Sequence, residues 1–155
     1  MKKTVKILFV ILAIVILLFI GRKIYYSNVE IKPEDLYLSK ENSEENIKMN
    51  IGTYSWEDKG INVVADSIPA QDMENLKILN VKQNEKIVFT DCDWISSSAR
   101  ILLIYEGTVA GFSIESNPEE HYIIVPNMEG EYIVQIDLKS DKGEVWYAAK
   151  LNISK

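Results

Sequence analysis

Two side chains in this sequence have the chemistry of a nucleophile and its base, and each occurs once. Cys92 is the only cysteine and His121 the only histidine among the 155 residues. An imidazole activates a thiol only when the two lie within hydrogen-bond reach, and nothing in their spacing favours such a contact. We therefore expect a half-buried thiol at a strand end, a surface imidazole and no catalytic residues. A single cysteine also excludes an internal disulfide, so the core must supply the stability.

Acidic side chains offer a second kind of chemistry, the binding of a cation. Asp91 and Asp93, together with Asp66 or Glu106, would supply the clustered oxygen ligands that Ca²⁺ takes. Their spacing does not match a calcium-binding loop. The sequence therefore predicts solvated turn charges, with no metal site and no cofactor.

Aromatic side chains are the best candidates for a binding surface. Exposed Trp and Tyr mark surfaces that recognise sugars or proteins, because they combine a large apolar face with a polar edge. Trp146 has the opposite parity to its neighbours on the last predicted strand, so it faces either solvent or a second layer. Tyr54, Trp56 and Trp146 form the predicted ligand-binding set. Packing in the core or at an edge is the alternative for these rings.

The charge of the chain is distributed unevenly. Residues 1–26 carry five basic residues and no acid, whereas the remainder carries 12 basic residues against all 23 acids, a net charge of −11. A surface this acidic repels phosphate backbones. Nucleic acid is therefore excluded as a partner.

The first 26 residues have the pattern of a membrane-targeting segment, with fourteen consecutive apolar residues at 7–20 between basic flanks. Fourteen helical residues rise about 21 Å, short of a hydrocarbon core of roughly 30 Å, but flanking residues extend the span and cations can snorkel. The positions that signal peptidase reads hold bulky or charged residues. We predict an uncleaved signal-anchor over 1–26, a transmembrane helix that contacts the lipid bilayer through residues 5–24. The alternative is that signal peptidase removes this segment and the rest of the chain is secreted.

The flanking charges also predict an orientation. Three lysines and the terminal amine precede the apolar run, and Arg22 with Lys23 follows it. The positive-inside rule places the more basic flank in the cytoplasm. We therefore expect a single-pass protein of the cell membrane whose C-terminal domain lies outside the cytoplasm.

The rest of the chain divides into a polar linker, 27–45, and a β domain, 46–155. Short apolar segments alternate with turn residues throughout the β domain, and the phase of alternation shifts at Gly52, as at a β-bulge. The clearest pattern is a pair of long alternating segments, 132–138 and 145–153, typical of an antiparallel hairpin with one buried face. Seven to nine short strands in this length predict an all-β fold, an immunoglobulin-like antiparallel β-sandwich. A G-x-Y sequence ending at Tyr132 predicts a hydroxyl bonded back to the preceding corner.

Several short motifs resemble a little-characterised β-sandwich domain of membrane-anchored proteins and lipoproteins in Gram-positive bacteria. They cover roughly residues 50–151: G-x-Y-x-W at 52–56, D-x-x-P at 66–69, V-K-x-x-x-x-I at 81–87, G-E-Y at 130–132 and Y-A-x-x-L at 147–151. Many members carry two cysteines near the first motif, where this chain has Ser55 and Val64. The resemblance implies an extracytoplasmic domain tethered to the membrane or forming the outer part of a membrane sensor.

Taken together, these patterns predict a membrane-tethered extracytoplasmic binding domain that is not an enzyme. Its partner would be another envelope protein, a cell-wall polymer or a small ligand. The alternative is an accessory or sensory ectodomain that regulates a membrane enzyme or signalling protein.

Overall fold

The computed structural model describes residues 2–27, 31–89, 96–105, 108–113, 116–117 and 121–155. They belong to two compact units, Met1–Ile31 and Lys32–Lys155. The first unit contains one helix, α1 (Lys2–Ser27), whose described apolar side chains are exposed. Within the part of the chain that the structure describes, no helix is long and apolar enough to cross a membrane.

The second unit is built almost entirely of β-strands. Its only helical element among the described residues is a 3₁₀ turn, Ala70–Asp72. The strands are β1 (Tyr37–Lys40), β2 (Asn46–Lys48), β3 (Asn50–Asp58), β4 (Ile61–Ala65), β5 (Ile78–Lys82), β6 (Lys86–Phe89), β7 (Ser96–Tyr105), β8 (Thr108–Ser113), β9 (Ser116–Asn117), β10 (Tyr122–Ile124), β11 (Gly130–Ser140) and β12 (Gly143–Ser154).

These strands form two sheets. The five-stranded sheet has the order β2-β1-β6-β10-β9, and the seven-stranded sheet has the order β4-β3-β12-β11-β7-β8. The seventh strand, β5, continues along the same edge of β12 after β3 ends, and this pairing is parallel. All other pairings of described strands are antiparallel. The prediction of a β fold with antiparallel sheets is confirmed, with β5 as the one parallel exception.

The described residues contain twelve strands, whereas the sequence predicted seven to nine. The difference comes from the shortest strands, because β2, β9 and β10 have only two or three residues each. Alternation needs at least four residues to be visible in a sequence. Such strands form only because longer neighbours supply the hydrogen-bonding partners.

The hairpin of β11 and β12 is the longest pairing in the fold and confirms the clearest sequence pattern. Its register runs from Gly130 opposite Ile153 to Ser140 opposite Gly143. A side chain at Gly143 would collide with the carbonyl of Ser55, so only glycine fits at this corner. Alternate residues of both strands are buried and form the main core of the seven-stranded sheet: Val134, Ile136, Leu138, Val145, Tyr147, Ala149, Leu151 and Ile153.

Two local predictions for β3 and β11 are also confirmed. Tyr147 pairs with Ile51 and Val145 with Tyr54, so β3 has one extra residue at the Gly52 position where the alternation shifts phase. The hydroxyl of Tyr132 donates a hydrogen bond of 2.6 Å to the carbonyl of Glu129. This is the bond back to the preceding corner that the G-x-Y sequence predicted.

The expected linker, 27–45, is shorter than the sequence suggested. Residues 37–40 form β1, the second strand of the five-stranded sheet, and Leu36 and Leu38 are buried. The amide of Met49 donates to the carbonyl of Leu36 over 2.9 Å. Two leucines among polar residues are too few to show a period, so the strand is recognisable only through the neighbours that cover it.

The segment before β1 is held by two further contacts. The buried hydroxyl of Tyr147 donates to the carbonyl of Glu34 over 2.6 Å, joining this segment to β12. The carboxylate of Asp35 lies 2.6 Å from the ammonium of Lys48, and this hydrogen bond raises the pKa of Lys48. The second contact is exposed and contributes little. The buried tyrosine is the stronger tie because its hydroxyl has left water.

Replacing Leu38 by alanine tests whether β1 belongs to the β domain. We expect Leu38→Ala to lower the free energy of unfolding by about 2–5 kcal/mol, since a fully buried leucine is truncated. Urea denaturation of the full chain in a mild detergent, followed by tryptophan fluorescence, measures the change. The control is Tyr37→Ala at a 39% exposed position, where we expect a loss below about 1 kcal/mol. Equal, small effects would mean that residues 37–40 behave as linker.

Candidate functional site

The candidate site is an open depression of about 400 Å³ on the seven-stranded sheet. It lies on the face of β4, β3, β12 and β11 that points away from the main core, since its charged and exposed lining residues alternate with the buried ones. We call this surface the outer face. The side chains that it contributes to the depression are Thr53, Ser55, Val64, Asp137, Lys139, Glu144 and Trp146.

Trp146 lies flat against the sheet over Gly52. A Cβ atom built on Gly52 would be nearly equidistant from three adjacent carbons of the indole and in collision with all of them. A point at similar distances from three fused-ring carbons lies above the plane of the ring, not at its edge. The ring therefore rests face-on upon the backbone of the β3 bulge, and only glycine leaves room for it.

Trp146 also packs against a second layer of the structure. The loop after β4, with its 3₁₀ turn, covers part of the outer face and places Ala70 and Leu76 against Ile133 and Ala148. Met73 and Trp146 pack against this small core. The sequence predicted that Trp146 faces either solvent or a second layer. In the structure the residue packs against the second layer and also lines the open depression.

The polar groups of the site are arranged in cross-strand pairs. Asp137 is directly opposite Trp146, and Lys139 is directly opposite Glu144. The ammonium of Lys139 lies 2.6 Å from a carboxylate oxygen of Glu144, and the amide of Gln135 donates to the carboxylate of Asp137 over 2.8 Å. The site therefore presents oriented acceptors and a cation beside an aromatic face.

The three aromatic residues predicted to bind a ligand have different environments. Trp146 and the half-buried Tyr54 both line the depression. Trp56 is only 6% exposed and belongs to the buried set. Only Trp146 is on the outer face, because Tyr54 is opposite the buried Val145 on the core side of the sheet. Trp56 has the core environment that was the alternative for these rings.

The polar part of this site was not predicted from the sequence. Ser55, Asp137, Lys139 and Glu144 look like ordinary solvent-facing strand residues when each strand is considered alone. A usable signal existed, because all four have the opposite parity to the buried set and therefore share a face with Trp146 once the strands pair. Their proximity depends on non-local pairing, which the sequence pattern does not specify.

The other chemical candidates form no site in the described part of the chain. Cys92, Asp91, Asp93 and Glu106 lie outside the described residues. His121 contacts Phe89 edge-on, with ring centroids 5.5 Å apart. No group of three His, Cys, Asp or Glu side chains among the described residues is placed to hold a metal ion.

No family model, curated protein or solved structure matches this chain. The resemblance to the Gram-positive extracytoplasmic domain therefore stays a prediction. The chemistry of the surface around Trp146 is therefore the basis for the proposed function.

Replacing Gly52 by alanine should displace the indole of Trp146 from the bulge. We expect Gly52→Ala to lower the free energy of unfolding by about 1–3 kcal/mol through overpacking, with a change in tryptophan emission as the ring leaves its position. Urea denaturation and emission spectra of the full chain measure both effects. Ser55→Ala, on the same strand and face, is the control and should stay within about 0.5 kcal/mol of the parent. A Gly52→Ala chain with parental stability and emission would contradict the stacked geometry.

Proposed function

We propose that this chain is a membrane-tethered extracytoplasmic binding domain without catalytic activity of its own. The observation that carries the proposal is the aromatic depression around Trp146. Ligand sites typically combine an apolar surface with a few oriented polar groups in a volume of roughly 300–1,000 Å³. The depression fits this description, with one flat indole, two carboxylates and an ammonium group.

The domain proposed to carry this site is an immunoglobulin-like β-sandwich. Two sheets that each bury one face fit a sandwich. The Tyr132 hydroxyl bonded to the Glu129 carbonyl at the start of the penultimate strand supports the immunoglobulin-like form. In such domains the sandwich provides a rigid support, and binding is carried by its surface.

The proposed tether is α1. Ile7 and the apolar side chains from Ile11 to Ile20 are exposed, and an exposed apolar surface of this kind marks a membrane or protein interaction site. The apolar run is shorter than a bilayer core, so the basic flanks must reach the headgroups by snorkelling. A helix satisfies its own backbone hydrogen bonds, as a lipid environment requires.

Paired reporters fused after Lys155 test the location. We expect an alkaline phosphatase fusion, which folds only outside the cytoplasm, to be active and a cytoplasm-dependent fluorescent fusion to be dark. The matched control replaces Lys2, Lys3 and Lys6 by glutamine, which removes the charge bias and should reduce the phosphatase signal. An active cytoplasmic reporter on the parent chain would overturn the proposed location.

Thermal melting of the full chain in detergent tests the binding function. A partner that binds only the folded domain raises the melting temperature by mass action. We expect solubilised envelope material to raise it for the parent chain and for Tyr37→Ala, but not for Val64→Arg. Val64 is 64% exposed in the depression, so arginine blocks the site without disturbing the core. If the parent chain does not respond, the accessory ectodomain is favoured, because its partner would be met only in an intact bilayer.

A further inference from the structure

We propose that the depression around Trp146 binds a linear, uncharged, β-linked glycan, with one pyranose ring stacked on the indole. This inference rests on the proposed binding function and names the chemical class of the ligand. Four properties of the site carry it: the orientation of the ring, the polar groups beside it, the open shape and the charge.

The Trp146 indole is held in place and also lines the depression. One face of the ring rests on Gly52, and the residue packs against the small core of the second layer. The face opposite Gly52 is the one that a ligand in the depression would contact. A pyranose ring with equatorial substituents presents a flat face of C–H groups that matches such a surface. Because the ring is already held, stacking on it costs little conformational entropy.

The polar groups lie where the hydroxyls of a stacked sugar would project. Asp137 is the cross-strand neighbour of Trp146, and its carboxylate is oriented by Gln135. Each oxygen of a carboxylate has two acceptor sites, so Asp137 could accept from a sugar hydroxyl while it keeps the hydrogen bond from Gln135. The ion pair of Lys139 and Glu144 adds donors and acceptors two residue pairs closer to the hairpin turn, and Ser55 adds a hydroxyl from β3.

The shape favours a polymer over a single sugar. The depression is partly open, so it would enclose a small molecule only in part. Ligand sites for small molecules bury most of the ligand surface. An open surface with one aromatic platform instead contacts one or two units of a chain that continues on both sides.

The charge favours an uncharged chain. The outer part of the protein carries a net charge of −11 over residues 27–155, with 12 basic and 23 acidic residues, and Asp137 and Glu144 stand in the site itself. Anionic polymers would be repelled. A quaternary ammonium group would need a cage of several aromatic faces, whereas Tyr54 is opposite the buried Val145, on the core side of the sheet.

Titration of defined oligosaccharides into the full chain in detergent tests the inference. The probes are chitohexaose and cellohexaose, which are linear, uncharged and β-1,4-linked, with heparin and choline as charged comparisons. We expect calorimetry to give a Kd below ~1 mM for at least one hexamer, together with a change in tryptophan emission. Heparin and choline should not bind.

Four variants distinguish the site from nonspecific binding. Trp146→Ala and Val64→Arg should weaken hexamer binding at least tenfold, and Asp137→Asn should weaken it severalfold. Tyr37→Ala, which removes an exposed aromatic from the other sheet, should bind like the parent chain. Val64→Arg and Asp137→Asn keep the test decisive if Trp146→Ala fails to fold, since Val64 is exposed and asparagine has the size of the half-buried Asp137.

The outcomes of these titrations distinguish the glycan inference from the proposed binding function. Hexamer binding that is lost in Val64→Arg supports both. If neither hexamer binds, or if binding is unchanged in Val64→Arg and Asp137→Asn, the glycan inference is overturned. The binding function then stands only if envelope material still raises the melting temperature of the parent chain and not of Val64→Arg. A preference for heparin or choline would also overturn the glycan inference.

Discussion

The structure depends on one constraint: β12 is buried along one face and partly covered on the other. Val145, Tyr147 and Leu151 are buried in the main core, while on the other face Ala148 is buried and Trp146 is partly buried against the second layer. The strand also pairs with β11 along its whole length and with β3 and β5 along its other edge. A slip of one residue would exchange the two sets of side chains. The register of this strand is therefore fixed more strongly than that of any strand with a solvated face.

That fixed register also builds the candidate site. Once Trp146 is on the outer face, the β3 backbone must allow a flat indole, and the bulge at Gly52 provides the space. The same register aligns Asp137 with Trp146 and Lys139 with Glu144. The core and the candidate site use opposite faces of the same strands, so surface residues such as Val64 can change without loss of the core.

Much of this fold could be predicted from local pattern. Long alternation specified the β11–β12 hairpin, the phase shift at Gly52 specified a bulge, and the G-x-Y sequence specified the Tyr132 bond. The features that were not predicted all depend on contacts between residues that are distant in the sequence. β1 was read as linker because Leu36 and Leu38 are recognisable only once Tyr147 and other strands cover them. The polar half of the site was missed because cross-strand neighbours such as Lys139 and Glu144 stand at ordinary exposed positions, and nothing local says which strands will pair.

The proposed combination of a weak binding site with a membrane tether has a physical reason. A single indole platform with a few hydroxyl contacts gives weak affinity, since only a small area leaves water. A polymeric ligand offers the same unit many times, and an anchor confines the domain to a thin layer beside it. Both raise the effective concentration without any new contact. On the proposed arrangement, the anchor would hold the domain and a polymer of the cell envelope in the same thin layer. Weak binding would then suffice there, and the same domain released from its anchor would bind the same polymer much less well.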